Sequence, residues 1–87
     1  MPGLLIAAAG NTLAPALAVL RQLGYKVSCV PGSPDLLQAD NGQTRLVAED
    51  TLQLLGLASI AAHRGTAWRP TDAEISDLLS LERQDEA

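Results

Sequence analysis

The spacing of apolar residues along this chain changes several times, and each change marks an element. Residues 4–9, Leu-Leu-Ile-Ala-Ala-Ala, form a short unbroken apolar run closed by Gly10-Asn11-Thr12. A run of that length bounded by turn formers reads as a buried strand, because a helix would have to absorb Pro2, Gly3 and Gly10. Beyond it, Leu13, Ala16, Leu17, Val19, Leu20 and Leu23 recur at helical spacing. Thr12 or Asn11 can cap that helix, Pro15 suits its first turn, and Gly24 suits its left-handed C-terminus, so a helix is predicted over 13–23. Residues 26–30 then alternate, with Val27 and Cys29 on one face, up to the stop Pro31-Gly32-Ser33-Pro34. The first third therefore reads strand, helix, strand, for which a right-handed parallel crossover is the favoured connection.

The clearest local signal follows. Asn41-Gly42 separates two strand-like runs, 36–40 and 43–49. Asn-Gly is the preferred two-residue hairpin turn, because both corners need positive φ. Such a loop pairs Asp40 with Gln43, Ala39 with Thr44, Gln38 with Arg45 and Leu37 with Leu46. Leu37, Ala39, Thr44, Leu46 and Ala48 then share one face, and Gln38, Asp40, Gln43 and Arg45 the other.

Asp50 or Thr51 can cap a second helix, whose Leu52, Leu54, Leu55, Leu57, Ala58, Ile60, Ala61 and Ala62 nearly encircle the axis. A helix so apolar is expected to be the most buried element, or to pair with another chain. Close packing of a neighbour would offset the cost of Gly56 inside it, about 1 kcal/mol relative to alanine. His63-Arg64-Gly65 is an ordinary helix ending. After a connector, Thr71 and Glu74 have capping-box spacing ahead of a third helix with a narrow stripe of Ile75, Leu78 and Leu79. The polar tail 82–87 is expected to fray. The predicted architecture is a small single α+β domain over residues 1–87, in the order β-α-β-β-β-α-α. It would have a mixed four-stranded sheet with helices mainly on one face.

Composition narrows what such a domain does. Apolar residues reach 47%, enough for a core, but 16 are leucine and 14 alanine; phenylalanine is absent, and Tyr25 and Trp68 are the only aromatics. Large rings usually supply much of a core's buried area, so modest stability helped by association is expected. Ten acids against six Lys and Arg leave a net charge of −4. That balance repels a phosphate backbone and argues against nucleic-acid binding. No run approaches a membrane span, and residues 4–9 lack both the basic flank and the length of a signal peptide. The chain thus reads as complete from Met1 and, with its single cysteine, cytoplasmic. Arginine outnumbers lysine five to one, which fits a GC-rich bacterial coding sequence.

Candidate chemistry is sparse. Cys29 and His63 offer one thiol and one imidazole, but nothing in the sequence brings them together, and Cys29 keeps step with core residue Val27. The same two residues cannot furnish a four-ligand soft metal site, and Asp35, Asp40 and Asp50 lack calcium-loop spacing. Asp50, Asp72 and Glu74 lie where helix starts favour negative charge. No catalytic residue, metal or cofactor is expected.

Two segments stand out. Residues 63–70 gather the only histidine, the only tryptophan and two of five arginines. Trp and Arg are enriched where binding energy concentrates, so Arg64, Trp68 and Arg69 are candidate partner-binding residues, unless Trp68 plugs the core between the last two helices. The leading expectation is a non-enzymatic, acidic protein-interaction domain, inhibitor- or immunity-like or an accessory subunit, whose partner is another protein or a second copy forming a homodimer. The alternative is a small anionic-ligand or nucleotide binder using the helix-start amides at Gly10, Asn11 and Thr12. That turn lacks both the P-loop ending and the spaced glycines of a dinucleotide fingerprint.

Overall fold

A computed structural model describes residues 3–8 and 10–83. It is an α+β fold of three helices and three strands: α1 (Leu13–Gln22), β1 (Lys26–Val30), β2 (Ser33–Asp40), β3 (Arg45–Ala48), α2 (Thr51–Arg64) and α3 (Asp72–Glu82). Short 3-10 turns, Gly10–Thr12 and Gly65–Ala67, precede α1 and follow α2. The strands form an antiparallel meander in the order β1-β2-β3.

The predicted first strand is not there. Residues 4–8 form no strand and lie exposed, and the predicted end of the run, Ala9, falls outside the described residues. Three of the six residues of that run are alanines, which have neither the branching nor the area to make stabilising cross-strand pairs. The sheet is therefore three-stranded and antiparallel rather than four-stranded and mixed, and no parallel crossover forms.

Local chemistry sets the remaining boundaries. Gly24, at φ +94°, ends α1: its amide bonds to the Arg21 carbonyl at 3.0 Å, and the Tyr25 amide bonds to the Leu20 carbonyl at 3.0 Å. This is a Schellman closure, and its usual hydrophobic contact is met by Leu20 and Tyr25, both in the core. Thr12 occupies the position before α1, but its side chain caps none of the helix amides. Asp50 does cap α2, accepting from the Gln53 amide at 2.8 Å, while the Gln53 side chain accepts from the Glu49 amide at 3.0 Å. Thr51 ties the two helices together at their starts, donating its hydroxyl to the Leu13 carbonyl at 2.6 Å.

The hairpin of β2 and β3 forms around Asn41-Gly42, but with a loop of four residues. Asp40 pairs with Arg45, Ala39 with Leu46, Gln38 with Val47 and Leu37 with Ala48. The register thus lies two residues from the predicted one. The Asn41 side-chain oxygen accepts from the amides of Gln43 and Thr44, at 2.9 and 2.7 Å, and its own amide reaches the Thr44 carbonyl at 3.2 Å. Those bonds hold four residues in the loop instead of two. Since strand side chains alternate with period two, the shift leaves Leu37, Ala39, Leu46 and Ala48 on their predicted face.

That face carries the core. Leu20, Tyr25, Ala39, Leu46, Leu54 and Ala58 form one buried cluster where α1 and α2 lie on the sheet. Val27, Leu37, Ala48, Leu55 and Leu57 pack around it, half-buried. On the other face a polar ladder crosses all three strands: Arg45 donates to Gln38 Oε1 at 3.0 and 2.6 Å, and Gln38 donates to Ser28 Oγ at 3.2 Å.

Two burial expectations change. Cys29 is exposed rather than a core residue. It shares a face with Val27, but it sits beside the β1 irregularity, where the register jumps and the ladder loses its regular pairing. The second helix is buried along one stripe only, by Leu54 and Ala58, as α1 is by Ala16 and Leu20; Leu52 and Ile60 stay exposed. A Cβ at Gly56 would meet nothing within 4 Å, so no close neighbour accounts for that glycine.

Candidate functional site

The connector between α2 and α3 is built around one side chain. Gly65, at φ +56°, ends α2, and its amide bonds back to the Ala61 carbonyl. Arg64 then makes four hydrogen bonds: to the carbonyls of Ala67 at 3.3 Å and Arg69 at 3.1 Å, and to both carboxylate oxygens of Glu74 at 2.6 and 3.0 Å. The paired geometry suits a planar guanidinium meeting a carboxylate. Glu74 is also half of the predicted capping box. It accepts from the Thr71 amide at 2.8 Å, while its own amide donates to Thr71 Oγ1 at 3.2 Å. The Arg64 guanidinium, and secondarily the Thr71 amide, hold the Glu74 carboxyl at a pKa of about 2; the same bond raises that of Arg64. Arg64 is thereby committed to an internal elbow.

Trp68 and Arg69 project from that elbow. The Arg69 guanidinium lies over the indole, 5.1 Å from its centroid, and Trp68 is 51% exposed. The ring therefore does not plug the core between the last two helices. It stands at one end of a groove of about 580 Å³ between β3 and α2, lined by Leu46, Val47, Leu57, Ile60, Thr66 and Trp68, with Arg45 at its rim. The groove runs beside the edge of β3, which among the described residues pairs only with β2. Its lining includes no carboxylate, imidazole or thiol. Such a surface can bind an apolar or mixed segment by burial, by ring contacts and through a guanidinium.

The structure does not assemble the other candidates. Cys29 lies on the edge strand β1 and His63 in the last turn of α2, and no hydrogen bond joins them. Among the described residues, no three His, Cys, Asp or Glu side chains converge as metal ligands would. Gly10, Asn11 and Thr12 form the 3-10 turn leading into α1. A second depression, about 490 Å³, lies over the polar ladder and is lined by Lys26, Ser28, Gln38 and Asp40. Ser28 and Gln38 are already bonded to each other there.

The groove itself was only half visible in the sequence. Trp68 and Arg69 stood out by composition, whereas Val47 and Ile60 read as ordinary strand and helix residues. Their meeting depends on how α2 lies on β3. Among the described residues no helix is long and apolar enough to cross a membrane. Compared with known proteins, the chain matches no family model, no curated protein and no solved structure.

Proposed function

We propose that this chain is a non-enzymatic protein-interaction domain that docks a partner in the groove between β3 and α2, with Trp68 as the anchor. The observation that carries this reading is the half-exposed indole at the end of an apolar groove, beside an unpaired strand edge. Trp and Arg dominate binding hot spots because they combine large apolar area with directed polar groups. Burying the exposed half of a ring that covers roughly 200 Å² contributes about 2–3 kcal/mol. Arg69, stacked on the indole, supports a partner that presents a carboxylate or an aromatic face beside an apolar segment. An exposed, unpaired Cys29 suits a reducing compartment such as the cytoplasm.

Trp68 is the only tryptophan, so its fluorescence reports on the groove alone. A partner that docks there is expected to shift its emission to the blue, and Trp68→Ala should abolish capture of that partner. Equal capture by wild type and variant would remove the groove from the mechanism. A thermal-shift screen in which phosphorylated metabolites stabilise the chain, and Thr12→Ala cancels the effect, would favour the anion-binding alternative at Gly10–Thr12.

A further inference from the structure

We infer that the groove receives α3 of a second copy of this chain, so that two copies exchange their C-terminal helices across a twofold axis. The inference rests on the reading of the groove as a docking surface and names its occupant. Every residue from 65 to 83 is exposed, and α3 buries none. An isolated helix of 11 residues is marginal in water. Its stripe of Ile75, Leu78 and Leu79 nevertheless has the spacing of a buried face, with exposures of 45, 55 and 45%.

The surface area points the same way. A folded chain of 9.1 kDa is expected to expose about 4,900 Å². This one exposes 6924 Å², an excess of about 2,000 Å² that the exposed residues 3–8 share with residues 65–83, whereas a stable interface needs about 800 Å² from each partner. The radius of gyration, 15.4 Å, likewise exceeds the roughly 12 Å of a compact chain of this length.

Charge selects the match. Between Asp72 and Glu82, α3 holds four acids and no base. The groove is flanked by Arg45, whose guanidinium has, among the described residues, only the neutral Gln38 amide as hydrogen-bond partner, and by Arg69. Glu74 is taken by its own Arg64, which leaves Asp72, Asp77 and Glu82 to meet those arginines. The chain's own α3 is a poorer occupant. The four bonds of Arg64 fix the elbow, and no α3 residue lines the groove of its own chain. A second copy fits without breaking the elbow, and a twofold axis makes the contact twice and closes the assembly.

The test is the mass of the full chain in solution, by light scattering and sedimentation over a concentration series, with Trp68 emission read on the same samples. A dimer is expected, with emission moving to the blue as it forms. Leu78→Glu on the helix and Ile60→Glu on the groove wall should each weaken dimerisation at least about thirtyfold, the effect of losing a hot-spot side chain. Both positions are exposed, so the circular dichroism spectrum should not change; should Ile60→Glu fail to fold, Trp68→Ala replaces it. Mixing the two variants restores one intact helix and one intact groove, so a mixed dimer should form that neither variant makes alone.

A monomer at every concentration overturns the inference, as does a dimer indifferent to both variants. A monomer with blue emission that turns red in Leu78→Glu also overturns it, by showing that the chain's own helix is the occupant. A monomer that docks a different protein through Trp68 removes the second copy while leaving the groove's docking role intact.

Discussion

Two parts of this molecule use the same local devices to different effect. From α1 to α2, caps and turns frame elements that bury Leu20, Ala39 and Leu54 completely. From Gly65 to Glu82, an equally complete capping box and a paired Arg64–Glu74 bridge frame a helix that buries nothing. Capping defines where a helix begins, but apolar burial decides whether it belongs to the cooperative unit. The contrast explains part of why a chain rich in leucine has so small a core: Leu78, Leu79 and Leu81 lie on the outward limb, and Leu4, Leu5, Leu13, Leu23 and Leu52 are exposed elsewhere.

Core substitutions should separate the two parts most sharply. Leu54→Ala or Leu20→Ala is expected to cost about 2–5 kcal/mol, read as a fall in the denaturation midpoint, whereas Leu78→Ala in dilute solution should stay within about 0.5 kcal/mol. Equal losses at Leu54 and Leu78 would mean that α3 belongs to the folded unit. The two caps offer a finer version. Asp50→Ala should lower global stability by about 1 kcal/mol. Thr71→Ala should instead weaken α3 alone, seen as lost helical chemical shifts over 72–82 at an unchanged midpoint. Gly56→Ala should stabilise by up to about 1 kcal/mol, because the added Cβ meets nothing within 4 Å; destabilisation would reveal a neighbour over that turn. The smallest effect concerns pH. The folded pKa of Glu74 is depressed to about 2, so the elbow's contribution is fully present above the ordinary carboxyl range and disappears as pH falls toward about 2. Chemical shifts of Thr71 and Glu74 should therefore hold through pH 4, and added salt should weaken the bridge, since both partners are partly exposed.

Much of this division was legible in the residues. The Gly24 closure, the Asp50 and Thr71 caps, the Asn41-Gly42 hairpin and the end of α2 at Gly65 follow from side-chain chemistry within a few positions, and all appear in the structure. What depended on distant partners was not legible. Residues 4–8 have strand-like hydrophobicity but join no strand, although β1 and β3 each keep an outer edge among the described residues; Ala7 and Ala8 offer little cross-strand area, and the pattern alone did not show that. Cys29 shares its face with Val27, yet no local pattern showed the register jump beside it. Trp68 could have filled the core or lined a surface. Its position depends on the elbow made by Arg64 and Glu74, ten residues apart, and neither residue alone announces that bond.

The hairpin register also bears on how such chains can diverge. Its loop could gain or lose residues in pairs while Leu46 and Ala48 kept facing the helices, since only parity sorts the two sides of a strand. A one-residue slip of β3 along β2 would instead turn Arg45 and Val47 inward, so an odd-numbered change must be absorbed in the loop itself or in a bulge.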